Sequence, residues 1–365
     1  MYFRVTDKPP FKQLTMADVN RKMGTNGYKV VSTFSGAGGS SLGLKLAGFN
    51  IVYANEFITE AQNTYLRNHK DTYLDKRDIR DVTGNEILDI INLEKGELDL
   101  FEGSPPCASF SRAGKGTDGW NCVKKYSDTK QRVDDLFFEY IRLIKDIQPK
   151  MVLAENVPDL ANGKNKGMLK LIVSAFRNAG YEIELRLIDG TKLDIPQTRK
   201  RIIFIGRRKD LNITIHYPKP KNYFYTVEDA IPNFENNVPS DEYSVFKNAV
   251  KLQERFDYCR KHHLQNFADA SQILEGRRLT FGYSVVFKDK PSPTLLQDNP
   301  LYHGYQNRSI SLDEAKIIQT FPLDFELTGS FNKKWERLGR SVPPRMYEAV
   351  GKCIKKSLDD YYEQG

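Results

Sequence analysis

The 365-residue chain has no apolar run near the length of a membrane span, so a helix crossing a bilayer is not expected. The first residues, MYFRVTDKPPFKQLT, lack an apolar signal core, so secretion is not expected either. There are only four cysteines, Cys107, Cys122, Cys259 and Cys353, and none stands in CxxC spacing. That argues against structural zinc and a disulfide framework, and it fits a reducing cytoplasm; no metal is expected. There is no internal repeat and no low-complexity segment.

What is present is the composition of a soluble globular protein, 39% hydrophobic and 28% charged, long enough for two domains. The formal net charge of +8 favours a polyanionic partner. Between Arg199 and Lys221 stand eight Lys or Arg against one acid, Asp210. The run reads either as a solvated surface or as contact with a nucleic-acid backbone.

Hydrophobic periodicity alternates through the first half. YKVVSTF, NIVYANE, ELDLFEG, PKMVLAENV, YEIELRLI and RIIFIG read as strands. SSLGLKLAGF, ITEAQNTYLRNH, DDLFFEYIRLIKDI and NKGMLKLIVSAFRNAG read as the intervening helices, the last ended by Gly180. Leu136, Phe137, Tyr140, Ile141 and Ile144 share one helical face. This predicts an α/β fold with a mostly parallel sheet, whose ligands sit at the carboxyl ends of strands. After Gly206 the chain is richer in Pro, Asn, Tyr and charge, and element signals weaken. A larger domain over residues 1–206 and 336–365 and a smaller, irregular one over 207–335 are therefore expected.

Several stretches carry chemistry. FSGAGGSSLGLKLAGF places Gly36, Gly38 and Gly39 between a strand and a helix, and Glu56 ends the next strand. Glycines there let backbone approach a ligand, and such an acid commonly binds a ribose diol. The cofactor is then NAD or S-adenosylmethionine; Ser41 stands where a full dinucleotide fingerprint has its third glycine. EGSPPCASFS sets Cys107 behind Pro105 and Pro106, just past a strand, where loops build active sites. AENV ends another strand with Glu155 and Asn156. PQTRKR carries Gln197, Arg199 and Arg201, and in an extended strand the two arginines point to the same side.

In this order, FSGAGG, PPCASFS, ENV, QTRKR, SLDEAKIIQTFP and GRSV resemble the blocks of the DNA (cytosine-5)-methyltransferase family. The resemblance spans nearly the whole chain outside the lead-in and about 209–278. It implies a Rossmann-like class I methyltransferase domain with a mostly parallel sheet, plus a smaller irregular target-recognition domain. It implies S-adenosyl-L-methionine as donor, double-stranded DNA as substrate, and a flipped-out cytosine as the reacting base. Cys107 would be the thiol that adds to carbon 6. Glu155, with Asn156 beside it, would meet ring nitrogen 3 and the exocyclic amine. Arg201 and Arg199 would hold the base carbonyl and a neighbouring phosphate. Phe34 and the turn Ser35, Gly36, Ala37, Gly38, Gly39 would cradle the donor, and Glu56 would take its ribose. Phe57 and Ile79 would enclose the adenine, and Asp78 would meet its amino group. Ser104, Pro106, Leu136, Ser341 and Val342 would line the pocket.

The loop after Cys107, with Ser111, Arg112 and Lys115, would close over the base and meet phosphates. Gln197, Arg277 and Arg278 would contact DNA, with Tyr283 and Gln297 further candidates for reading base edges. Arg340 stands where the family's last block usually has asparagine, Ala108 where glutamine is frequent after the cysteine, and LDIPQ is shorter than the usual block. The expected protein is a cytoplasmic monomer, either the partner of a restriction endonuclease or an orphan enzyme. The alternatives are a tRNA cytosine methyltransferase, favoured less because of the long segment after Gly206, a silent DNA-binding regulator, and a nicotinamide dehydrogenase. Retention of Cys107, Glu155 and both arginines speaks against the silent regulator, and nothing beyond the glycine turn supports the dehydrogenase.

Overall fold

A computed structural model describes residues 8–106, 123–126, 129–132, 135–245, 249–279 and 282–364. The chain forms two compact units. The larger comprises Asp18–Ile188, Lys200–Lys219 and Tyr347–Gly365, the smaller Met1–Ala17, Asp189–Arg199 and Pro220–Met346. These limits differ from the expected 1–206 with 336–365 and 207–335. Residues beyond Gly206 stay with the sheet because Arg207 pairs with Glu182 and the Tyr217 hydroxyl donates to the Glu184 carbonyl. Residues 189–199 go with the smaller unit because Thr198 N–H donates to Ser292 O and Ser292 N–H to Pro196 O. The helix Phe331–Arg340 belongs there too, with the Trp335 indole N–H bonded to Leu296 O.

The larger unit is built on strands β1 (Lys29–Thr33), β2 (Asn50–Asn55), β3 (Tyr73–Asp75), β4 (Leu100–Gly103), β5 (Met151–Asn156), β6 (Tyr181–Asp189) and β7 (Lys200–Arg208). They form one seven-stranded sheet in the order β3-β2-β1-β4-β5-β7-β6. The first five pair in parallel, and β7 runs antiparallel to β5, with Glu155 opposite Ile203. The expected Rossmann-like sheet is thus present. The helices are α1 (Gly39–Leu46), α2 (Thr59–Asn68), α3 (Gly84–Ile91), α4 (Leu136–Ile147) and α5 (Lys166–Asn178).

One face of the sheet presents Val31, Phe101 and Val152 to α3, α4 and α5, and all five residues of the predicted α4 stripe are buried there. Each such side chain contributes about 1.5–3 kcal/mol on burial. On α1 packs the carboxyl-terminal helix Pro344–Tyr362, where Gly351 lets the backbone meet Leu44 and Ala47. Two elements escaped the periodicity reading: the three-residue β3 and the short α3, which opens on a capping box of Thr83 and Glu86. Among the described residues no helix is long and apolar enough to cross a membrane.

The smaller unit carries the helices Val250–His262 and Phe267–Glu275 over an aromatic cluster of Phe256, Phe267 and Tyr302. A buried bidentate pair organises the helix Leu312–Ile318: Arg308 donates to both oxygens of Glu314, at 2.7 and 3.0 Å. Glu314 also accepts from Ser311 N–H and from the Asn237 amide, so both charges are hydrogen-bonded as burial demands.

Candidate active site

In the sheet the strand order turns back between β1 and β4, and a crevice outside the carboxyl ends of those strands is where open α/β sheets bind ligands. The glycine turn leaves β1 at this point. Phe34, Gly36 and Gly38 all have positive φ, at 53°, 56° and 94°. Gly38 cannot be replaced without strain, since a Cβ there would lie 2.1 Å from Nε2 of the buried His69. At Gly36 a Cβ would meet nothing, so there is room against the backbone for a ligand. Glu56, at the end of β2, holds the turn: its carboxylate accepts from Gly36 N–H and Ile58 N–H, each at 2.7 Å. A carboxylate has further lone pairs, so this arrangement keeps capacity for a diol.

Past β4 the chain runs through Ser104, Pro105 and Pro106, the last two braced from β5 by the Asn156 amide, which donates to Pro105 O at 3.3 Å. Asn156 is therefore a support for the approach to Cys107. Cys107, Ser111, Arg112 and Lys115 lie outside the described residues. At the end of β5 the Glu155 carboxylate meets Nε of Arg201 at 2.5 Å, both side chains largely buried. Their strands are neighbours, so sheet register sets this pair.

Other predicted residues are engaged differently. Arg199 does not share a strand face with Arg201: it precedes β7, lies in the smaller unit, and its guanidinium donates to Leu295 O and Gly339 O. Gln197 is fully buried, donating to Gln319 and accepting from Leu295 N–H, so its side chain offers no surface to DNA. Ser341 and Val342 are buried in the same unit, and Gln319 donates to Ser341 O at 2.6 Å. Arg340 pairs with Glu336 within its helix. Arg277 and Arg278 are exposed, and Arg278 pairs with Asp269.

In the larger unit Asp78 caps the turn Ile79–Asp81 and pairs with Arg80. Ile79 and Leu136 are already packed in the core, whereas Phe34 and Phe57 are half-buried. Much of the basic run is engaged by groups of the protein itself, although Lys200, Lys209 and Lys219 are exposed. Arg207 pairs with Glu182, Arg208 donates to Gly96 O and Gln148 O, Lys209 to Arg177 O, and Lys221 pairs with Asp194. These contacts account for much of its charge without a polyanion.

One residue of this neighbourhood carried no signal beyond its sequence position. Glu102, in β4, is fully buried beneath the turn and accepts from the Ser32 hydroxyl at 2.6 Å. Burial pushes its pKa up to about 7 and the charge of Glu155 adds to this, while the hydroxyls of Ser32, Ser40 and Tyr347 oppose it. An acid inside the short strand LFEG is the visible trace, and only pairing with β1 gives it meaning.

A parallel sheet with a glycine turn at its switch point, an acid closing the neighbouring strand and an antiparallel strand inserted beside β5 has the form of a Rossmann-like methyltransferase. Residues 28–356 match the family described as C-5 cytosine-specific DNA methylase, and the chain belongs to that family. It is similar to the Type II methyltransferase M.FnuDI of Fusobacterium nucleatum, 30% identical over 347 residues that cover 91% of this chain and 95% of the relative. Type II methyltransferase M1.HphI of Haemophilus parahaemolyticus is 31% identical over 333 residues, 89% and 86% of the two chains. Among solved structures, one described as a DNA modification methyltransferase from an E. coli prophage has a TM-score of 0.69 at 22% identity, covering 91% of this chain and 99% of that one. Spodoptera frugiperda DNMT2 shares the fold with a TM-score of 0.63 at 17% identity, over 90% and 99%. The protein is a DNA methyltransferase acting on carbon 5 of cytosine, and as a methyltransferase it uses a methyl donor of the S-adenosylmethionine type.

Proposed function

We propose that the larger unit holds S-adenosyl-L-methionine across the glycine turn and that Cys107 bonds transiently to a cytosine flipped out of double-stranded DNA. The observation that carries this reading is the convergence, at one edge of one sheet, of the turn after β1, the proline-braced end of β4 and the Glu155–Arg201 pair at the end of β5. The donor, when bound, supplies a sulfonium methyl group. The open space at Gly36 and the accepting oxygens of Glu56 fit it.

The chain's own residues do the rest. The Cys107 sulfur adds to carbon 6 as thiolate, which makes carbon 5 nucleophilic; a lone thiol is only a few per cent ionised at neutral pH and needs help from its surroundings. Glu155 shares a proton with ring nitrogen 3, offsetting the charge pushed into the ring. Its pattern of donor and acceptor also rejects thymine. Arg201 fixes that carboxylate and offers its remaining N–H groups to the base carbonyl. Once carbon 5 carries the methyl group its proton passes to water, the bond between carbon 6 and the Cys107 sulfur breaks, and the thiolate is regenerated. Taking the base out of the stack costs a few kcal/mol, repaid by contacts in the pocket.

The smaller unit reads the DNA site, and Arg277, exposed beyond the helix Phe267–Glu275, is the predicted residue best placed to meet DNA. The enzyme acts as a monomer in the cytoplasm, and its methyl marks protect DNA from a cognate restriction endonuclease. Bisulfite sequencing of a plasmid from cells expressing the protein should show one methylated cytosine in one sequence context. A duplex carrying 5-fluorocytosine in that context should trap an adduct on Cys107, read by mass, and Cys107→Ser should lose turnover while binding S-adenosylhomocysteine. An unmethylated plasmid, or methylation by Cys107→Ser at the wild-type rate, would overturn the reading.

A further inference from the structure

We propose that Glu102 is a positioning residue of the donor site, tying the glycine turn to the strand end that leads into Cys107. The inference rests on the reading of the turn as the donor site. β1 and β4 are paired with Ser32 opposite Glu102, so the two side chains rise from the same side of the sheet. The Ser32 hydroxyl lies 2.6 Å from Glu102 Oε2 and 3.0 Å from the Ser35 hydroxyl. Ser35 is the residue from which the turn departs, its own N–H held by Asn55 O. A carboxyl–hydroxyl–hydroxyl chain thus runs from β4 into the turn. At the other end, Glu102 stands two residues before Ser104 and five before Cys107.

The surroundings decide the form in which it acts. Glu102 has no exposed surface; beyond Ser32 the Ser40 and Tyr347 hydroxyls approach its carboxyl, but Oε1 makes no close hydrogen bond among the described residues. Among the described residues, the titratable groups around it are Glu155 of β5, Tyr65 of α2, Tyr140 of α4 and Tyr347 of the carboxyl-terminal helix, and α1 adds the Ser40 hydroxyl. None is a cation. An ionised Glu102 would be a buried charge without a counterion among the described residues, whereas the neutral acid accepts from the Ser32 hydroxyl and leaves the pocket uncharged. Burial raises its pKa to about 7, so the two forms exchange in the neutral range. Deprotonation places an uncompensated charge beneath the turn, and the turn loses its shape.

The test is calorimetric binding of S-adenosylhomocysteine to the full chain from pH 6 to pH 8.5. Wild type should weaken about tenfold or more over this range, because only the neutral fraction is competent. Glu102→Gln, which keeps an acceptor for the Ser32 hydroxyl and never ionises, should bind at pH 6 within about threefold of wild type and show no pH slope. The donor KM should carry the same pH dependence, while kcat at saturating donor does not. A flat wild-type profile, or the same slope in Glu102→Gln, overturns the proposal while leaving the donor site intact. Absence of binding by folded wild type at every pH refutes the donor-site reading and this proposal with it.

Discussion

Glu102 also makes a quantitative prediction about folding. Its pKa is raised in the native protein from 4.5 to about 7, chiefly by burial. Between those values the unfolded chain has released this proton and the native state retains it. Stability from this group is therefore fullest below pH 4.5, declines as pH rises to 7, and is constant above. The change corresponds to about 3 kcal/mol. Glu102→Gln abolishes the titration, so urea unfolding followed by circular dichroism should show the variant gaining on wild type by about 2 kcal/mol between pH 5 and pH 7.5, the part of the change that falls in that window. The wild-type curve alone does not reveal the effect, because His69 opposes it. Burial, with the charge of Lys45, keeps His69 neutral well below its ordinary pKa, so its contribution is present above pH 6.5 and is lost on acidification. The difference between the two proteins isolates Glu102. Any altered hydrogen bonding of the amide adds a constant offset and leaves the slope untouched. Parallel stability profiles from pH 5 to pH 7.5 would refute the assignment of a buried, neutral carboxyl.

Three further outcomes are expected. Glu155→Gln should lower kcat about a hundredfold or more in a tritium-transfer assay while leaving S-adenosylhomocysteine affinity unchanged, since it removes a proton-sharing group and no part of the donor site. Arg308→Met should destabilise the protein by about 3–5 kcal/mol in urea, because it leaves Glu314 buried without its guanidinium. Converting Glu314→Leu as well should restore most of the loss. Burial works against ionised Glu314, but hydrogen bonds from Arg308 hold its pKa below the usual value, so wild type should lose this contribution as pH falls below about 4.5. Gly38→Ala, with φ at 94° and a Cβ 2.1 Å from His69 Nε2, should abolish detectable S-adenosylhomocysteine binding by calorimetry and lower the unfolding midpoint.

The alternating β-branched runs and the α4 stripe were legible because hydrophobic periodicity is a local property of the chain. The glycine turn, the acid at Glu56 and the doubled proline before Cys107 were legible for the same reason, since strand-to-helix turns impose local demands on residue type. Less could be read where meaning comes from a distant partner. β3 is too short to show a period, and the helices of the smaller unit are carried by an aromatic cluster drawn from residues 256–305. The basic run could be read either as a solvated surface or as a footprint for a polyanion, because sequence shows charge but not the carbonyls of Gly96, Gln148 and Arg177 that accept from it.

The order of blocks and the alternation of apolar runs by themselves determined the family and the parallel sheet, because both are written in contiguous residues of restricted type. Only the tertiary structure separated Arg199 from Arg201, sending one to the carbonyls of Leu295 and Gly339 and the other to Glu155. It alone turned Asn156 into a brace for Pro105 and Glu102 into a buried acid beneath the glycine turn. The physical reason is common to all three: a polar side chain taken out of water is defined by the partner that replaces the water, and that partner lies tens of residues away in the chain.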